Sequence, residues 1–381
     1  MALAASMTLA SCDKDEEFAG NTDTAFKSVT VKLPNIKKNT TRAIGDAVAD
    51  ESKVSLINYK VFFLDASNKE VAVPAIEGQA QQVYFSSTTG EGWDDNVSTD
   101  DANNAKTYHF LPASAVKVVV VGNMDNVNWD DVDGQDDEAL EVLNDTEDGH
   151  PYYPLRGESP LSLKTDAVDD EKHNNVYEAI VNLEPRTARF EIYGFEYKLA
   201  EGNTQFTYEK VELAKIALSN YYMTYDFVSK KATGTAEVAP TETSKVWDWM
   251  NATVAPWANS FAATFEVEQE AKKFANGTSM DDNYADGGEG ATGIITYGLT
   301  EVEDAANNPE LLLTFYGVDA AGSKTPLYVR GKFTQSEAFK AGKIYRVMFP
   351  ILDAVWNQPD RCVELTVEVA KWEVVPVTPE F

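Results

Sequence analysis

Residues 362–381 read CVELTVEVAKWEVVPVTPEF, and this stretch decides how the rest of the chain is read. Val363, Leu365, Val367 and Val369 alternate with Glu364, Thr366 and Glu368. The parity then changes, so that Trp372 and Val374 become the apolar set. Side chains of a strand point to opposite faces in turn, so the pattern predicts a strand, a break or bulge, and a second short strand. Pro376 and Pro379 limit further ladder bonding, because proline lacks the amide donor. Such a segment can complete its own sheet. It can equally pair away from its own domain, where backbone bonds give affinity and alternate side chains fill pockets. The residues alone leave both readings open.

The same period of two recurs upstream, and long helical periodicity is nowhere evident. In Ala25 to Leu33, AFKSVTVKL, the residues Val29, Val31 and Leu33 alternate with Ser28, Thr30 and Lys32. Val54 to Leu64, VSLINYKVFFL, runs into Asp65-Ala66-Ser67-Asn68, whose turn formers predict a hairpin into Glu70 to Val73. Val116 to Val121, VKVVVV, is bounded by Gly122-Asn123 as a fully buried strand would be. Val176 to Leu183 and Ala188 to Tyr193 follow. A second set comprises Phe206 to Leu218, Ala262 to Glu268, Gly293 to Tyr297, Leu311 to Tyr316, Leu327 to Phe333 and Ile344 to Pro350. The Glu201-Gly202-Asn203 interruption places a boundary in Ala200 to Thr204. The expected class is mostly β, and the length suits two domains better than one.

Charge excludes several functions. The 381 residues hold 62 Asp plus Glu against 32 Lys plus Arg, a formal charge of -30, with nothing in surplus to neutralise phosphates. Nucleic-acid binding and docking on anionic lipid headgroups are therefore not expected. Two cysteines, Cys12 and Cys362, cannot make a disulfide framework or a four-ligand zinc site. No run of about 18 apolar residues is present, so no transmembrane helix is expected.

The amino-terminal residues Met1 to Ser11, MALAASMTLAS, are small and apolar, and Leu9-Ala10-Ser11 precedes Cys12 and the run Asp13-Lys14-Asp15-Glu16-Glu17. This resembles a bacterial lipoprotein signal, in which the cysteine thiol carries the lipid. The basic n-region is missing, which places the true start codon upstream. The bland alternative is a cytosolic protein with an apolar amino terminus and a free thiol at Cys12. The acidic run resembles the tag that sends some lipoproteins to the outer face of the outer membrane.

Other constellations carry less. Ten acids fall between Asp130 and Asp148, and no Lys or Arg lies between Lys117 and Arg156. That loop must be solvated or bind cations to relieve its repulsion. Taking Gly134 as position six of a calcium loop puts Trp129 at position one and Leu140 at position twelve, so it is not an EF-hand. A looser calcium site would use Asp130, Asp131, Asp133, Asp136 and Asp137. His109, His150 and His173 stand far apart with no metal spacing and no nucleophile elbow, and His109 reads as a partly buried strand residue. Trp247, Trp249 and Trp257 could line a sugar-binding face or simply bury one side of an edge strand or short helix. No cofactor site and no catalytic constellation is predicted.

Taken in order, several motifs resemble the fimbrillins of type V pili along nearly the whole chain. They are the lipobox Leu9 to Cys12, Thr41-Arg42-Ala43, Tyr59 to Asp65 (YKVFFLD), Val118 to Asn123 (VVVVGN) and Arg186 to Ile192 (RTARFEI). Phe339 to Val347 (FKAGKIYRV) and Ala370 to Phe381 (AKWEVVPVTPEF) complete the series. The resemblance implies two transthyretin-like β-sandwich domains in tandem with a carboxyl-terminal donor strand, made as a lipoprotein precursor. Residues 1–12 would be the signal with lipidated Cys12, 13–42 a propeptide carrying a displaced strand, 43–203 and 204–361 the two domains, and 362–381 the donor. In the family, an arginine-specific protease removes the propeptide with its lipid and first strand, and another subunit's terminal strand fills the groove. Carried over, cleavage falls between Arg42 and Ala43, Phe26 to Leu33 is discarded, and Val363, Leu365, Val367, Val369, Trp372 and Val374 form the donor. Seven arginines in the whole chain make a site in this polar linker a non-trivial match. The implied partners are other copies, accessory fimbrial subunits, the protease and the precursor's lipid anchor. The implied place is a cell-surface fimbrium whose precursor sits on the outer membrane and whose assembly supports adhesion. A cleavable Arg42 argues against an anchor subunit and a strand ending at Phe381 against a tip, leaving a stalk subunit. The rival reading is a monomeric surface lipoprotein that binds glycan or calcium.

Overall fold

A computed structural model describes residues 26–34, 53–87, 105–133, 140–141, 153–169, 174–199, 201–222, 224–236, 269–270, 272–274, 295–333, 338–354, 362–371 and 373–376, with residues 89 and 238. Among these the chain is all-β, broken by short 3-10 turns at Trp129–Asp131, Ala305–Asn307 and 353–354. The first half supplies β1 (Lys27–Lys32), β2 (Lys53–Leu56), β3 (Asn58–Leu64), β4 (Glu70–Val71), β5 (Tyr84–Ser86) and β6 (Ala105–Leu111). It continues with β7 (Lys117–Gly122), β8 (Leu140–Glu141), β9 (Leu155–Pro160), β10 (Ser162–Asp169), β11 (Asn174–Ile180) and β12 (Glu184–Pro185). The second half supplies β13 (Ala188–Lys198), β14 (Lys210–Ser219), β15 (Thr224–Tyr225), β16 (Ala232–Thr233), β17 (Gln269–Glu270) and β18 (Lys272–Phe274). Then come β19 (Ile295–Leu299), β20 (Glu310–Val318), β21 (Lys324–Phe333), β22 (Lys343–Leu352), β23 (Cys362–Lys371) and β24 (Glu373–Pro376).

Two first-half sheets form a sandwich. One has the order β10-β11-β1-β6, the other β12-β9-β7-β3-β4 with β5 also on β3. Val29 and Val31 from β1, Tyr108 from β6 and Ala179 from β11 meet Val61, Phe63, Val118, Val120 and Leu155 in one core. The VKVVVV and YKVFFL runs look continuous because their other faces are covered as well. Phe62, Leu64, Val119 and Val121 pack on Trp129 and Val132 and on Tyr225 and Phe227 of the second half. A sheet buried on both faces has no need of alternation.

The turns follow their chemistry. Asp65 accepts the Ser67 and Lys69 amides at 2.8 and 3.0 Å, and Asn68 takes φ 62°, the left-handed conformation that asparagine tolerates. The predicted hairpin into β4 forms, with Phe63 opposite Val71. The run from Val54 to Leu64 breaks at Ile57, where the Asn123 side chain accepts the Ile57 amide at 2.9 Å in place of a ladder partner.

In the second half one nine-stranded sheet runs β17-β14-β20-β21-β23-β22-β13-β18, with β19 on β13. β23 joins its two arms: Cys362 to Leu365 run parallel to β21, and Thr366 to Lys371 run antiparallel to β22. The buried Asp353 carboxylate pins the ends of β22 and β13. It accepts the Thr207 amide at 2.8 Å, the Thr207 hydroxyl at 2.7 Å and the Tyr197 hydroxyl.

The ladder partners change ahead of the Ala200 to Thr204 position expected for the boundary between domains 43–203 and 204–361. β12 pairs with β9 in the first half, whereas β13 already pairs with β19 and β22 in the second. The pairing changes between Pro185 and Ala188, and Glu201-Gly202-Asn203 is a turn inside the second half, with Gly202 at φ 87°. Turn residues mark any break between strands, and only the ladder partners distinguish a domain boundary from a loop.

Gly157 in β9 pairs with Val120, and a Cβ there would lie 2.3 Å from the Asn182 carbonyl oxygen and 2.7 Å from Val181 Cγ1. Replacing it with alanine, G157A, should cost on the order of 1–3 kcal/mol by forcing the 181–183 segment off β9. Chemical denaturation checks this, and a loss below about 0.5 kcal/mol would show that the segment is not held as described.

Candidate functional site

The strand with the least local claim to its place is β1. Both neighbours come from far along the chain: β11 runs parallel to it, with Val29 opposite Tyr177 and Val31 opposite Ala179, and β6 runs antiparallel, with Val29 opposite Tyr108. Val29, Val31 and Leu33 are buried in the first-half core, as their alternation predicts. Burial of three aliphatic side chains is worth roughly 1.5–3 kcal/mol each.

The other face is polar and only partly sealed. Ser28 Oγ and His109 Nδ1 are 3.1 Å apart, and the Thr30 and Thr107 hydroxyls 2.9 Å apart. Lys32 pairs with Glu178 at 2.6 Å, an exposed contact worth little. Lys27 donates to the Ala115 carbonyl at 2.7 Å and lies 4.8 Å from the centre of the Tyr177 ring, and burial lowers its amine pKa. Below the strand, burial pushes the Tyr108 phenol far up, with Tyr59 adding to the effect, so neither phenol ionises in the physiological range. The register on β6 shifts between Lys27 and Val29, beside Phe110 at φ 58°, a conformation few phenylalanines adopt. Without β1, the β6 and β11 edges would both be open over Tyr108, Leu111, Ala179 and Val181.

The other candidate segment is β23 with β24. Val363 stands opposite Gly331, Leu365 opposite Phe333, Val367 opposite Val347 and Val369 opposite Tyr345. Val374, in β24, stands opposite Val54 of β2 in a parallel pair. Trp372 lies outside the described residues. In the single chain, then, β23 completes its own sheet.

Cys12, Arg42 and Ala43 lie outside the described residues, as do His150, His173, Asp136, Asp137, Trp247, Trp249 and Trp257. Asp130, Asp131 and Asp133 follow or form the 3-10 turn, and Asp131 accepts the Asn128 amide at 2.7 Å as a helix cap. Among the described residues no three His, Cys, Asp or Glu side chains are placed to hold a metal ion. His109 is a half-buried β6 residue, as its flanking sequence predicts. The alternation of β1 identified its apolar face. The pairing of Ser28 with His109 and Thr30 with Thr107 joins residues about 80 positions apart, and no local pattern reports such contacts.

No family model matches the chain, and no curated protein is similar at the level of sequence. Solved structures are similar. A candidate cell-adhesion protein from Bacteroides eggerthii superposes with a TM-score of 0.53 at 15% identity, covering 94% of this chain and 99% of its own. A fimbrilin from Porphyromonas gingivalis aligns over 92% of this chain and 99% of its own at 14% identity, with a TM-score of 0.47. A Porphyromonas gingivalis fimbrial anchor protein aligns over 91% and 98% at 12% identity, with a TM-score of 0.34. The first of these establishes a shared all-β fold, and the weaker superpositions add nothing to that.

Val31→Asp would put a carboxylate without a partner under β1. It should destabilise the first half by on the order of 3 kcal/mol or more, read by chemical denaturation. A change under about 0.5 kcal/mol would show that β1 is not seated in the core.

Proposed function

We propose that this protein is a subunit of a surface fimbrium, a stalk subunit that polymerises when its first strand is exchanged for the terminal strand of another copy. The observation that carries this reading is the seat of β1: an amino-terminal strand whose Val29, Val31 and nearby Leu33 are buried between two strands from far along the chain. The alternation of Val363, Leu365, Val367 and Val369 against Glu364, Thr366 and Glu368 matches that of Val29, Val31 and Leu33 against Thr30 and Lys32. Both segments present one apolar and one polar face, so one can replace the other in kind. The fold shared with a candidate cell-adhesion protein supports the same class.

The precursor would be lipidated at Cys12 and held on the outer membrane. An arginine-specific protease would then cut between Arg42 and Ala43, releasing residues 13–42 with β1. The vacated groove is an aggregation hazard until a donor fills it, so keeping β1 in place until export is complete prevents premature assembly. The role is structural, in support of adhesion, and no catalysis is proposed.

A second reading, a monomeric surface lipoprotein, has one observation in its favour: β23 is paired on both sides within its own chain. Exchange therefore requires β23 to leave β21 and β22, or to be contributed by a subunit whose sheet has opened. For this reason a truncation before Cys362 confounds donor loss with unfolding, and added peptide is the cleaner probe.

The test treats the precursor with an arginine-specific protease, sequences the new amino terminus and looks for SDS-resistant ladders, with and without excess peptide 362–381. An Ala43 terminus and ladders that the peptide suppresses are expected. An uncut Arg42, or a cut product that stays monomeric and ignores the peptide, would establish the monomeric reading.

A further inference from the structure

Where the two halves meet, an open cleft of about 420 Å³ is lined by Arg156, Glu158, Asn182, Glu184, Arg186 and Lys230, with Ile180 and Val228 beside them. Positive side chains gathered in one place are unusual in a chain of charge -30. Arg156 and Arg186 are only 5% and 6% exposed, and each guanidinium carbon lies within 6 Å of the centre of the Phe227 ring.

Most of these charges are already answered. Arg156 donates to the Val132 carbonyl at 3.1 Å and to Glu158 at 3.0 Å, and Lys117 approaches Glu158 at 3.8 Å. Lys230 pairs with Glu184 at 2.8 Å. Arg186 is the exception. Its Nε donates to the Phe227 carbonyl at 2.8 Å and its Nη2 to the Val228 carbonyl, but among the described residues no carboxylate lies within 4 Å of it. Glu184 and Glu158 offset part of its charge from a distance, but among the described residues no carboxylate bonds to the guanidinium directly, and its Nη1 donors face no carbonyl. Burial and the neighbouring Arg156 lower its pKa to about 10, which still leaves it charged at neutral pH.

We propose that this cleft binds a sugar acid, a monosaccharide bearing a carboxylate, with Arg186 as the anchor for that carboxylate. A guanidinium suits a carboxylate because its donors lie in a fixed planar fork. The remaining lining selects among carboxylates. Glu158 and Glu184 are acceptors that suit sugar hydroxyls and would repel an acidic peptide carrying further negative charge. Asn182 offers both donor and acceptor. Ile180 and Val228, 51% and 36% exposed, supply an apolar rim for the ring carbons. The volume fits one such residue. The cleft shares Ile180 with the strand beside β1, opposite Lys32, but its test uses the uncleaved chain with β1 in place, so its failure and the failure of strand exchange are distinguishable.

The test titrates the full, uncleaved chain with N-acetylneuraminic acid and with glucuronic acid by calorimetry. The methyl esters and a glutamyl dipeptide serve as comparison ligands. Either acid should bind, and its ester should bind at least about tenfold more weakly. Arg186→Gln should abolish binding. Because Arg186 also holds the Phe227 and Val228 carbonyls, Val228→Asp is the companion variant: it leaves those bonds in place and should weaken the acid about tenfold by repulsion from the rim. The proposal is overturned if neither acid binds up to about 10 mM, if ester and acid bind alike, or if a folded Val228→Asp protein binds unchanged. Tighter binding of the dipeptide than of either sugar acid would overturn it too, assigning the cleft to acidic peptides.

Discussion

The structure rests on one constraint: the β7-β3 pair is apolar on both faces and must be covered on both. Val118 and Val120 face the β1 side, while Val119 and Val121 face Trp129, Val132, Tyr225 and Phe227. The first cover is a sheet with β1 in its interior, and the second comes partly from the other half of the chain. Withdrawing either cover would expose apolar side chains of β3 and β7, and an exposed apolar sheet face drives association. β1 is therefore part of the cover that keeps this apolar face away from water.

Arginine is used sparingly in a very acidic chain, and its positions differ in purpose. Arg156 and Arg186 bracket Phe227 where the second half covers the first, and the carbonyls of Val132, Phe227 and Val228 accept their donors. Glu158 beside them shows the balance. Burial would raise its pKa, but the Arg156 hydrogen bond and the charges of Lys117, Arg156 and Arg186 hold it below the ordinary 4.5. Its folded pKa is lower than its unfolded one, so its contribution is present above 4.5 and falls away as pH drops through the folded value. With half the side chain exposed, solvent screens much of that contribution.

The β23 segment shows how one pattern serves two outcomes. Its alternation suits a donor and a strand of its own sheet equally, and in the single chain it lies inside that sheet, linking the β21 arm to the β22 arm. In the single chain the ladders to β21 and β22 hold it in that seat.

Much was legible from local patterning. The alternation of Val29, Val31 and Leu33 and the turn chemistry of Asp65 to Asn68 set a strand and a hairpin, because side-chain period and turn geometry are properties of a few adjacent residues. The class and the apolar face of β1 followed from them. The boundary at Pro185 to Ala188, the Ser28 and His109 contact and the meeting of Arg156 with Arg186 were decided only by tertiary structure. They depend on which ladders pair and which distant residues share a cover. Arg186 sits in a motif that reads as strand, yet its role comes from carbonyls 41 and 42 positions away, a proximity that loop closure creates and no local period encodes.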